Sequence, residues 1–260
     1  MNTVIIPVDF SETSLNAANY AVKILTTSPE TEIILYHVYE KPDEYENRME
    51  SLEKLREELL INKTANISLL AEQGDFITEL EKLSRHRQAD LIIMGITNRS
   101  ALMQVFTGNN ALKMAEHKFC PVMIIPVNAS YSEIKNVLLT TDLKNVVSTT
   151  PSVPIKKVLS AFHAKLHIVN VNSEHYIELS EEFAAEKEKL TQMFTDFSPE
   201  FYFLRLYDID EAIHEFAKDK KIDLIIAIQK EHSLVHKLFS AGHLKKLAYE
   251  STVPVMTVHE

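Results

Sequence analysis

Asp9, Gly95 and the run Gly108-Asn109-Asn110 stand where this chain could hold a ligand. Asp9 follows the apolar run Thr3 to Val8, Gly95 follows Leu91-Ile92-Ile93-Met94, and Gly108 precedes a new helical pattern. Strand, glycine-bearing loop, helix and strand in that order are how α/β proteins build a phosphate site, because the unpaired N–H groups at a helix start attract anions. The chain has four glycines, Gly74, Gly95, Gly108 and Gly242, and two of them fall in this loop. The same two glycines also suit a strand-to-helix turn that needs positive φ. Asp9 has two readings as well: a ligand contact, or an N-cap or strand-end carboxylate.

Other reactive side chains carry weaker signals. His232 and His236 stand four apart with His243 near, a spacing that suits zinc on a helix, but no third ligand is evident. Solvated histidines explain them as well. Cys120, the lone cysteine, excludes an intrachain disulfide and reads as a packed small residue. His37 lies in a strand pattern near the expected pocket mouth and reads as a satisfied structural histidine. No G-x-S-x-G, HExxH or G-x4-GK[ST] element is present, and no acid–base pair has a supporting context. Catalysis is not expected, with slow hydrolysis of a bound phosphate ligand the exception left open.

The elements that position these residues occur twice. Asp9 and Asp142, Val38 and Val171, Asp90 and Asp223, Phe106 and Phe239, and Pro121 and Pro254 are all separated by 133 positions. So constant a register means a tandem duplication, and hence two similar domains, over 1–128 and 134–260. The polar segment 128–133 (NASYSE) reads as the linker. A net charge of −10 speaks against a general nucleic-acid or anionic-membrane surface. No run reaches the length of a membrane span, and no leader pattern opens the chain, so a cytoplasmic protein is expected.

Within the first half, strands are expected at 3–8, 32–39, 67–71, 90–94 and 122–127. Helical patterns lie between them, including an amphipathic helix over about 43–62 and a helix over about 109–117. In the second half, strands are expected near 137–141, 165–171, 200–206, 224–228 and 255–258, with the longest helix near 175–194. The fold class is therefore α/β: two tandem doubly wound domains, each with a parallel sheet and right-handed crossovers.

The PVDFSETS opening, the LIIMG strand end, the loop to Gly108 and the closing PVMIIPV together resemble the universal stress protein family. The resemblance covers both halves. It implies a five-stranded parallel sheet per domain and a role as a stress-response binding or signalling module. It also implies ATP, with Mg as its companion ion, as a ligand of the first half. The family's ATP-binding motif is G-x2-G-x9-G-[ST]; here Gly95 and Gly108 fit, while Asn98 and Asn109 replace glycine and Ser/Thr. Asn tolerates left-handed backbone angles better than most residues. By resemblance Asp9 contacts adenine, Val38 lines its pocket, and Gly95, Asn98, Gly108, Asn109 and Asn110 surround ribose and phosphates. The full candidate set adds Pro7, Val8, Met94, Thr97 and Arg99.

The matching positions of the second half are Ile228, Glu231, Ala241 and Gly242. Two of them restore a Cβ, and Glu231 sets a carboxylate beside a triphosphate's place, so no ATP is expected there. The resemblance further implies an internal pseudo-dimer about a pseudo-twofold axis, with Val122–Val127 antiparallel to Val255–Val258, the apolar edges that would otherwise invite pairing. A homo-oligomer and an unidentified protein partner stay open. Two other functions compete: an interaction protein that binds no nucleotide, and a hydrolase of the related nucleotide superfamily.

Overall fold

Apolar runs flanked by polar turns form the expected strands, and helices carry the intervening amphipathic segments. The structure is a computed structural model that describes residues 1–26, 28–96, 110–129, 131–171, 181–204, 209–230 and 241–260. The chain divides into two compact units, Met1–Ser132 and Glu133–Glu260. The division falls inside the polar 128–133 segment.

The first unit runs β1 (Thr3–Pro7), α1 (Glu12–Leu25), β2 (Glu32–Tyr39), α2 (Tyr45–Leu59), β3 (Asn66–Gln73), α3 (Phe76–His86), β4 (Leu91–Ile96), α4 (Asn110–Ala115) and β5 (Val122–Pro126). Its strands pair in the order β3-β2-β1-β4-β5, all parallel. Buried Val4, Ile5, Ile6, Ile33, Ile34, Ile92, Ile93, Met123 and Ile124 fill the middle of the sheet. Strands apolar on both faces are what a sheet covered by helices on both sides requires. β1 and β4 are sheet neighbours though far apart in sequence, so the strand order reverses between them. Such a reversal opens a crevice outside the carboxyl ends of the two strands, the usual ligand position in doubly wound sheets.

The second unit runs β6 (Asn136–Thr141), α5 (Val146–Thr149), α6 (Ser152–Phe162), β7 (Lys165–Val171), α7 (Glu181–Met193), β8 (Glu200–Leu204), α8 (Ile209–Asp219), β9 (Leu224–Gln229), α9 (Ala241–Glu250) and β10 (Val255–His259). Its order, β10-β9-β6-β7-β8, is again all parallel and repeats the first unit's plan. Its switch point lies between β6 and β9.

The duplication extends to single backbone contacts. Asp90 N–H donates to Thr3 O at 2.9 Å, and Asp223 N–H to Asn136 O at 2.8 Å. Phe10 and Leu143 share the left-handed conformation at φ 63° and 52°, as do Gln88 and Lys221 at 49° and 50°. Each pair keeps the 133-residue offset. Left-handed backbone is costly for residues with a Cβ, so its repetition at matching sites marks turns that the fold imposes.

One helix breaks the symmetry. α1 is continuous, whereas its counterpart stops at Thr149 and restarts at Ser152 as α6. Pro151 between them has no N–H to continue the ladder. The simple repetition expected of the second half fails at this point. Among the described residues no helix is long and apolar enough to cross a membrane.

Candidate functional site

The first unit's crevice is built on the ends of β1, β2 and β4. Pro7 closes β1, buried and paired with Tyr36. Val8 is buried and donates its N–H to Tyr36 O at 2.8 Å. Asp9 then emerges exposed. Met94 and Gly95 lie in β4, opposite Ile124 and Ile125, and Met94 is buried. Val38 is half-buried near the end of β2, and Asn110 is exposed as the first residue of α4. β1 is the hub, flanked by β2 on one side and β4 on the other, so Pro7, Val8, Asp9, Val38, Met94 and Gly95 come together at one end of the sheet. Thr97, Asn98, Arg99, Gly108 and Asn109 lie outside the described residues, as do Glu231, His232 and His236 in the second half.

Asp9 is not the N-cap of α1. Ser11 takes that position and accepts from Ser14 N–H at 3.3 Å. Asp9 Oδ1 instead accepts from Ser11 N–H at 3.0 Å and Ser11 Oγ at 2.5 Å. Burial pushes the Asp9 carboxyl pKa upward, but hydrogen bonds from Ser11 and Ser14 outweigh it and hold the group below its ordinary value. Asp9 is thus an ionised, exposed group at neutral pH that can only accept hydrogen bonds.

Gly95 has a reason to be glycine that differs from the expected positive φ, which it does not adopt. A Cβ there would lie 2.2 Å from Thr13 O and 2.8 Å from Thr13 C, in the first turn of α1. The missing side chain lets α1 settle onto β4 next to Asp9. In the second unit Ile228 matches Gly95 and carries a full side chain, buried to 1% exposure. There the matching helix is the broken one, and the Val146 N–H that begins it donates to Glu186 Oε2 at 2.7 Å on α7. Glycine thus accompanies a continuous helix in the first unit, and isoleucine an interrupted one in the second.

His37 and Phe10 complete the crevice wall beyond the residues that the motif singled out. His37 Nδ1 lies 2.7 Å from Val8 O. A carbonyl only accepts, so Nδ1 carries the proton. The ring packs against Phe10, centroids 5.0 Å apart. Burial pushes the His37 pKa down, the bond to Val8 O pulls it up, Arg48 pushes it down, and Asp9 and Glu44 pull it up; the balance is below the ordinary value. The neutral ring therefore anchors the end of β1 at pH 7. In the second unit Asn170 takes the same post and donates from Nδ2 to Thr141 O at 3.0 Å. His37 and Asn170 are 133 apart and both offer a side-chain N–H, a signal present in the alignment of the halves though hidden by the change of residue type.

Cys120 is buried, and its thiol donates to Ala89 O at 3.2 Å. Among the described residues no group of three metal-ligating side chains forms. What the described geometry fits is a ligand that presents an N–H donor to Asp9 across the ends of β1 and β4. The residues that the resemblance assigns to ribose and phosphates lie outside the described residues, apart from Gly95 and Asn110.

Comparison with known proteins agrees with this architecture. Residues 1–126 match the universal stress protein family model. A universal stress protein of Methanocaldococcus jannaschii is 25% identical over 136 residues, covering 47% of this chain and 80% of that protein. A universal stress protein from Archaeoglobus fulgidus superposes with a TM-score of 0.71 at 16% identity, over 100% of this chain and 96% of its own. A functionally unknown protein from Pseudomonas aeruginosa superposes at 0.64 with 12% identity, over 100% of this chain and 92% of its own. At such identities the two superpositions speak for the fold. In sequence and in switch-point architecture alike, the first unit, over residues 1–126, matches the universal stress protein family.

Proposed function

We propose that the protein is a non-catalytic stress-response module whose first unit binds a nucleotide at the β1/β4 crevice, with ATP as the ligand to test. The observation that carries this reading is Asp9: an ionised carboxylate held by Ser11 at the switch point of a doubly wound sheet, exposed and able to accept from a ligand's N–H. Behind it lie buried Val8 and Met94 and the packed His37–Phe10 pair. Among the described residues no acid–base pair is assembled around it, and the reading assigns binding rather than turnover.

Calorimetric titration of the full chain with ATP, ADP and AMP tests the proposal. Saturable binding is expected for the wild type and loss of it for Gly108→Glu. Asp9→Asn keeps the size of the side chain and removes the charge. It should weaken binding by at least about tenfold, as expected when a charged hydrogen bond worth roughly 1.5–3 kcal/mol is degraded. Unchanged affinity in Asp9→Asn would remove Asp9 from the site. No binding by the wild type would favour the interaction protein without nucleotide, and phosphate release in the same samples would favour the hydrolase.

A further inference from the structure

The second unit's switch point holds an ion pair built on a lysine that the first lacks at the matching position. Lys230, the residue after β9, places Nζ 2.8 Å from Asp142 Oδ1. Asp142 is the counterpart of Asp9 and follows β6, the neighbour of β9. Both side chains are withdrawn from water, with exposures of 9% for Lys230 and 8% for Asp142. The ammonium also approaches Lys144 O at 3.5 Å, and Lys144 N–H donates to Asp142 Oδ1 at 3.1 Å. Leu143 and Ile228, next to the pair in sequence, are buried. The first half has Thr97 at the position matching Lys230, a residue with no cation to offer, and Asp9 is exposed.

We propose that Lys230 is an internal ligand: its ammonium occupies Asp142 and shuts the second unit's crevice to nucleotides, turning an ancestral binding carboxylate into a bolt between the ends of β6 and β9. A ligand donor reaching for Asp142 would have to displace the ammonium and separate it from the carboxylate in a site withdrawn from water. That cost is large at low dielectric, since a buried charge is tolerated only when paired. Lys230 thus adds a second barrier to the one that the lost glycine motif already sets in this half. The binding consequence rests on the reading of the first unit; the bolt does not.

The test uses the full chain as wild type, Lys230→Met, Asp142→Asn, the double variant and Lys230→Arg. In urea unfolding, each removal of one partner should lower the midpoint of the second unit's transition by roughly 1–2 M. The double variant should lose clearly less than the two singles combined, and Lys230→Arg should stay near wild type. Singles that leave the midpoint in place, or losses that simply add, overturn the proposal. If a single variant does not fold, the double variant's recovery of the folded state supports the bolt, and its failure to recover overturns it. In ATP titration, Asp9→Asn should leave no second site. A residual site in Asp9→Asn that disappears on adding Asp142→Asn would overturn the closure. If wild type binds no ATP at all, the reading of the first unit fails, and the unfolding cycle still decides whether the bolt exists.

Discussion

Gly95→Ala is expected to destabilise the first unit by about 3 kcal/mol, the upper part of the range for overpacking. The obstacle is Thr13 O, 2.2 Å from where the new Cβ would sit, and it belongs to backbone in the first turn of α1. A side chain could rotate away; a helical carbonyl cannot. α1 must lift from β4, and it carries Ser11, which holds Asp9 through two hydrogen bonds. Asn16, on the same helix, reaches Pro126 O and Val127 O at 3.4 Å, so the lift also strains the end of β5. Affinity for ATP should fall with stability. Urea unfolding followed by circular dichroism gives the first quantity and titration the second. A variant within about 0.5 kcal/mol of wild type, the usual spread of innocuous substitutions, would mean that α1 is free to shift and that glycine is not required for close packing.

His37→Leu should cost about 2 kcal/mol, because the Val8 carbonyl loses its donor inside the protein. His37→Asn should cost much less. The chain has already made that exchange, since Asn170 donates to Thr141 O in the second unit. The two variants also separate by pH. The folded pKa of His37 lies below its ordinary value. Between that ordinary value near 6.5 and the lower folded value, the unfolded chain binds the proton that the folded chain refuses. Stability is therefore complete above pH 6.5 and declines as pH falls through the folded pKa. His37→Asn should flatten that decline. It should not abolish it, because His167 is also lowered, by burial first and by Lys165 and Lys220 against the opposing pull of Glu200. An unchanged pH profile in His37→Asn would show that His37 is not the buried neutral group described.

The contrast between the units follows from these same positions. Each unit keeps an aspartate after its first strand, a left-handed residue behind it, and a side-chain N–H on the strand-end carbonyl. What differs is the company of the aspartate. Asp9 has glycine and an unbroken helix beside it and stays open to solvent. Asp142 has isoleucine, a helix broken at Pro151, and the Lys230 ammonium. A carboxylate left in place by duplication became either an open, solvent-facing group or half of an ion pair, depending on the residues around it.

Residue patterns alone settled the strand and helix order, the duplication at an offset of 133, and the meeting of Asp9 and Gly95 at the ends of Thr3–Pro7 and Leu91–Ile96. These are local or periodic properties: apolar runs, helical spacing and turn residues act over a few neighbours, and a repeat is visible by comparing the chain with itself. Tertiary structure alone decided why Gly95 must lack a side chain, that His37 anchors Val8, and that Lys230 is spent on Asp142. Each of those contacts joins residues brought together by strand order or helix packing, and depends on angstrom-scale distances that residue types and spacing do not encode.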